Sequence, residues 1–189
     1  MKDWFSNLLF KIYGWKLVGV VPKDIKKFVL IAAPHTSNMD FFLAMPTMWK
    51  LGVPGRFLIK REHTDAFYGG LIKSMGGIGV DRKNQSAEFV TELKEIVGAR
   101  KELAMLFTPE GTRKSVKKWK TGFYRIALAV NVPIVLAYAD YKLKEVHIGH
   151  VFYPSGEFEK DFIYMEKFFS SVSAKYPENY NPQIFVRTK

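Results

Sequence analysis

A chain of 189 residues with 48% hydrophobic, 15% aromatic and 25% charged residues has the makeup of one folded domain and excludes an intrinsically disordered chain. Lys and Arg number 29 against 18 Asp and Glu, a formal charge of +11 with a pI near 9.7, so a polyanionic partner is expected: nucleic acid, an anionic membrane or a phosphorylated substrate. The absence of cysteine excludes disulfides, thiolate metal sites and thiol nucleophiles.

At the N-terminus, Trp4, Phe5, Leu8, Leu9, Ile12 and Trp15 recur at helical spacing beside Lys2, Lys11 and Lys16. Residues 1–21 therefore read as an amphipathic helix. It either lies in a membrane interface, apolar face down and lysines toward anionic headgroups, or packs onto the domain. The interface is the expectation here. No apolar run approaches the ~20 residues needed to span a bilayer, and Asn7, Lys11 and Lys16 interrupt the stretch that would serve as a signal peptide. Neither feature is expected.

Residues 28–33 (FVLIAA) form a continuous apolar run, as for a strand covered on both faces. A helix should open near Asn38 and reach Leu51, bent or broken by Pro46. A second strand at 56–60 (RFLIK) precedes a helical stretch at 66–75 that ends at Gly76-Gly77, and a short strand covers 78–80. Residues 86–100 are the clearest helix, with Phe89, Val90, Leu93, Ile96 and Val97 on one stripe. Another buried strand, 103–107 (LAMLF), leads to a helix capped by Thr121 and a strand at 134–139. An edge strand is expected at 146–152 and a final amphipathic helix at 158–175. There is no repeat, low-complexity tract or linker, so residues 1–189 are expected to form a single α/β domain. Its central sheet should be mainly parallel and flanked by helices, with the motif-bearing core at 28–140.

Ligands of such sheets bind beyond the carboxyl ends of the strands, and chemistry-bearing residues gather there. After the first run come His35, Thr36, Ser37, Asn38, Met39 and Asp40, and after the fourth come Thr108, Pro109, Glu110, Gly111, Thr112 and Arg113. His35 and Asp40, five positions apart, would lie about 140° apart on a helix and would not meet. They meet if His35 sits in irregular backbone before the helix and Asp40 in its first turn, which Pro34 and a cap at Ser37 or Asn38 permit. Asp40 would then hold one ring nitrogen of His35 and leave the other as a general base. The bland alternative is a helix-terminal charge and an unrelated loop histidine. Likewise, Pro109 and Gly111 allow a tight turn presenting Glu110 and Arg113, which is either half of a phosphate site or a polar surface turn.

These blocks together resemble the glycerolipid acyltransferases. His35 to Asp40 matches their HxxxxD block, and Phe107 to Arg113 (FTPEGTR) resembles their FPEGTR block. Residues 57–62 with 76–82 resemble the central block, and 132–135 (VPIV) the apolar VPI block. By pattern the chain is most similar to bacterial 1-acylglycerol-3-phosphate (lysophosphatidate) acyltransferases, though Pro34 stands where an Asn commonly precedes the histidine and Thr108 is inserted before Pro109. The resemblance implies acyl transfer from acyl-CoA or acyl carrier protein to the hydroxyl of a lysophospholipid, with no metal or other cofactor. His35 would be the base and Asp40 its orienting partner. Lys60, Arg82 and Arg113 would hold the acceptor phosphate, Glu110 would orient Arg113 or a glycerol hydroxyl, and Gly111 and Thr112 complete that block. Backbone N–H groups around Gly111 are candidate oxyanion donors, whose aim the sequence does not show. It further implies a peripheral enzyme on the cytoplasmic face of a membrane, acting in phospholipid biosynthesis.

Ser37 is too close to His35, and lacks the Gly-x-Ser-x-Gly setting, to be a triad nucleophile. His147 and His150, three apart on a strand, should point to opposite faces, and His63 reads as a loop residue. Phe41, Phe42, Met45, Met48 and Trp49 read as core rather than an acyl groove. From another class, residues 113–120 (RKSVKKWK) combine basic residues with Trp119 in the manner of a single-strand nucleic-acid binder, the weakest of the readings. Within the same fold, the alternative acceptors are a lyso-ornithine lipid, another lysolipid or an amine.

Overall fold

The computed structural model describes residues 2–80 and 87–186. The long apolar runs become the inner strands of one seven-stranded sheet. The strands are β1 (Lys16–Val18), β2 (Lys27–Ala32), β3 (Gly55–Lys60), β4 (Gly77–Val80), β5 (Leu103–Phe107), β6 (Ile134–Asp140) and β7 (Glu145–Phe152), in the order β1-β7-β6-β2-β5-β3-β4. The five strands β2 to β6 are parallel, β7 runs antiparallel to β6, and β1 pairs parallel to β7. All five parallel strands therefore end on the same edge of the sheet, which is why the polar residues that follow them converge.

Helices cover both faces, which explains the unbroken hydrophobicity of the runs. Val29 and Ile31 point toward one face, into a cluster with Leu93 and Val97 of α5 (Ala87–Gly98), Phe123 and Ile126 of α6 (Gly122–Ala129), and Phe162 and Met165 of α7 (Phe158–Phe169). Phe28 and Leu30 point the other way, against Met45 and Met48 of α2 (Met39–Trp49). Each such side chain, wholly withdrawn from water, contributes on the order of 1.5–3 kcal/mol before entropy is counted. The helix α2 is not broken at Pro46, whose carbonyl accepts from Ser6 Oγ at 3.0 Å.

Several boundaries depart from expectation. The N-terminal helix α1 covers only Lys2–Tyr13; Gly14 takes φ +67°, ends it, and releases the chain into β1. Trp15 thus lies beyond the helix and is buried. β1 sits outside β7, so β7 is not the sheet edge. The stretch after β3 holds two short helices, α3 (Arg61–Asp65) and α4 (Gly69–Ser74), and His63 belongs to α3 with its Nδ1 2.9 Å from Tyr68 Oη. The helix α7 ends at Phe169, well short of residue 175. Thr121 stands at the N-cap of α6, but its side chain makes no capping bond.

His147 and His150 are also corrected. The β6–β7 register shifts between Leu136 and Ala137, so that Leu136 faces His150 while Ala137 faces Ile148, leaving Gly149 as an extra residue. Gly149 has φ +106°, and a Cβ there would lie 2.2 Å from the Val20 carbonyl oxygen. Only glycine fits this bulge, and the extra residue returns both histidines to one face. There His147 stacks on Tyr138, His150 packs tilted against Phe168, and the Tyr138 and Phe168 rings contact each other.

Candidate active site

The chain leaves β2 through Ala33 and Pro34 and reaches α2 in six residues. Within that short span Asp40 gathers the loop around itself. Its Oδ2 accepts the backbone N–H groups of Thr36 and Ser37, both at 2.9 Å, and lies 3.0 Å from His35 Nδ1. Ser37 Oγ accepts from the Met39 N–H at 3.0 Å, the capping role expected of it. Asp40 Oδ1 accepts the Tyr141 hydroxyl at 2.5 Å. Every contact fixes the carboxylate, and the carboxylate fixes the ring. With Nδ1–H donated to Asp40, the lone pair of His35 resides on Nε2, and the ring keeps 23% of its surface exposed.

The second turn closes against the first. Gly111, at φ +67°, donates its N–H to Thr108 O at 3.0 Å, which closes the turn and occupies that one donor. Glu110 turns inward rather than toward Arg113. Its Oε1 accepts the His35 N–H at 3.0 Å, and its Oε2 is buried without a hydrogen-bond partner. Burial is the main reason its carboxyl is pushed up to about 7, against the two backbone hydrogen bonds that favour the charged form. Arg113, exposed above this, donates to the Asn38 side-chain oxygen. The two turns are therefore joined twice, by Glu110 to His35 and by Arg113 to Asn38.

His35, Asn38, Asp40 and Arg113 line a cleft of about 1340 Å³. His35, Asn38, Lys60, Arg113, Lys118 and Lys120 line its polar part, and Phe41, Leu58, Phe107, Phe123, Ile126 and Phe162 its apolar part. Lys60 is the exposed last residue of β3, and Thr112 Oγ1 accepts from the Lys114 N–H at 3.4 Å. Arg82 lies outside the described residues. Met45 and Met48 are core, as expected of them, whereas Phe42 is 53% exposed. Trp119 is 3% exposed, packed edge-on against Phe123 and Phe169. A ring so enclosed presents no face to a base, which removes the aromatic half of the nucleic-acid signal.

Tyr141 and Asn38 are the site residues that sequence reading missed. Tyr141 immediately follows β6, so the rule that drew attention to the other strand ends reaches it as well.

The acyltransferase family model matches residues 19–138, well over half of the chain. The chain belongs to the acyltransferase family. The matched span holds both turns and stops within β6, so Tyr141 and the whole of α7 lie beyond it. Among solved structures, this acyltransferase is similar to the 1-acyl-sn-glycerophosphate (LPA) acyltransferase PlsC from Thermotoga maritima. The two share 20% identity and a TM-score of 0.60 over 92% of this chain and 80% of that one, a likeness of fold. A search of curated proteins finds no match.

Proposed function

We propose that the protein transfers a fatty acyl group from a thioester, acyl-CoA or acyl carrier protein, to the hydroxyl of a lysophospholipid such as 1-acylglycerol 3-phosphate. The observation that carries this reading is the pairing of His35 Nδ1 with Asp40 beside a cleft whose lining combines apolar side chains with the cations of Lys60 and Arg113. A lysophospholipid has the same division between chain and phosphate. His35 Nε2 takes the acceptor's hydroxyl proton as that oxygen attacks the thioester carbon. The tetrahedral intermediate then expels the thiolate, which recovers the proton from the imidazolium. Asp40 holds the reactive tautomer and stabilises the imidazolium. General-base help of this kind is worth about 10²–10⁴-fold, and the remainder comes from positioning within the cleft.

Arg113, braced by Asn38, offers its remaining guanidinium donors to the phosphate, with Lys60 as a second cation at the same edge. Glu110 supports the His35 backbone and does not act as a second base. The work is done at a membrane surface: among the described residues no helix is long and apolar enough to cross a bilayer, and α1 presents Trp4 and Ile12 outward. The test is a panel of lysolipid acceptors (phosphatidate-type, zwitterionic, ornithine-type and amine) against both thioester donors. Phosphomonoester acceptors should be preferred, and Arg113→Ala should raise their KM about tenfold or more with little change for an uncharged acceptor. An equal rise for both classes would remove Arg113 from phosphate recognition.

A further inference from the structure

Asp40 is satisfied on Oδ2 by its own loop, but among the described residues Oδ1 has a single donor, and it comes from far along the chain. Tyr141 opens the turn after β6, and three contacts set its place. Its N–H donates to Ser173 O at 2.9 Å. The preceding Asp140, 6% exposed, accepts the N–H groups of Lys142, Leu143 and Ser173 and so pins the turn. Its ring meets Trp15 edge-on, with centroids 4.8 Å apart and planes at 82°. Trp15 is in turn tied to the end of α1, its N–H donating to Phe10 O at 2.9 Å, and both lie in one buried cluster with Leu43 of α2.

We infer that Tyr141 is a positioning residue for the reaction: its hydroxyl, aimed by Trp15, holds the Asp40 carboxylate in the plane that His35 requires. The inference rests on His35 and Asp40 being the catalytic pair. A carboxylate held on one oxygen alone can swing about its χ2, which is soft for aspartate, and carry the imidazole with it. A hydroxyl on the other oxygen removes that freedom. Burial and the neighbouring Asp40 carboxylate keep the phenol proton in place, so Tyr141 remains a donor throughout the working range of pH. Because Trp15 sits directly after α1, seating of that helix against the domain also bears on the catalytic pair.

Tyr141→Phe isolates the hydroxyl, since the ring and its Trp15 contact remain. The expected result is a melting temperature near wild type, a kcat lowered roughly tenfold, KM for donor and acceptor within about twofold, and a displaced or broadened His35 Nδ1–H proton resonance. Trp15→Ala keeps the hydroxyl but frees the ring, and should give the same spectroscopic change with a smaller loss of kcat, whereas Trp15→Phe should restore both. The resonance is read on the free protein with no substrate, so it reports on the pair even if the acceptor has been misassigned. A Tyr141→Phe enzyme with wild-type kcat overturns the inference, as does a loss of kcat with the resonance unmoved.

Discussion

The residue with the most unusual setting is Glu110. A carboxyl deep in the fold, its Oε2 without a hydrogen-bond partner among the described residues, favours its protonated form. Its value is raised from 4.5 to about 7, so between those two values the folded protein holds a proton that the unfolded chain has released. Its contribution to stability is therefore full below pH 4.5 and lost as pH rises through 7. Glu110→Gln keeps an acceptor for the His35 N–H but cannot titrate. The difference in melting temperature, wild type minus variant, should fall between pH 5 and pH 8; a constant difference would show that Glu110 ionises alike in both states. The His35–Asp40 pair was legible in the sequence because it closes within six residues, where local turn chemistry decides the outcome. Tyr141 was not, since its partner is 101 positions away and only the adjacency of β6 to β2 brings them together.

At the scale of elements, α1 packs one face on the domain and leaves apolar side chains exposed on another. Ser6 and Phe10 are buried against the domain, and Asn7 accepts from Lys50 Nζ at 2.6 Å, while Trp4 is 69% and Ile12 66% exposed. Spacing alone cannot reveal the split, because Phe10 and Ile12 are equally apolar and only the position of α2 decides which is covered. Burying Trp4 and Ile12 in an interface should each contribute about 1.5–3 kcal/mol. Replacing both with Ser should lower partition onto vesicles of anionic phospholipid at least about tenfold and leave the melting temperature nearly unchanged. Retained flotation would place membrane contact elsewhere on the molecule. The strands show a parallel lesson. β2, β5 and β6 announce themselves because both faces are buried. β1 does not, for it is three residues long and begins with a lysine, and the bulge at Gly149 depends on the approach of the Val20 carbonyl.

For the whole molecule, the charge of +11 resolves by position. Lys60, Arg113, Lys118 and Lys120 stand at the cleft beyond the strand ends, and Lys11 lies exposed on α1. The burial of Trp119 turns the basic run around it into a cleft wall rather than a stacking platform. The architecture was readable because alternating strands and helices admit few arrangements, and the convergence of the turns followed from the parallel order of five strands. The acceptor was not readable, since head-group choice is set by side-chain placement in three dimensions. One measurement tests the proposed chemistry most directly: transfer of a labelled acyl group from its thioester to 1-acylglycerol 3-phosphate by wild type and by His35→Ala. The wild type should form the diacyl product, and the variant should lose about 10²–10⁴-fold in kcat with an unaltered circular dichroism spectrum. A well-folded His35→Ala protein with near wild-type turnover would contradict the account.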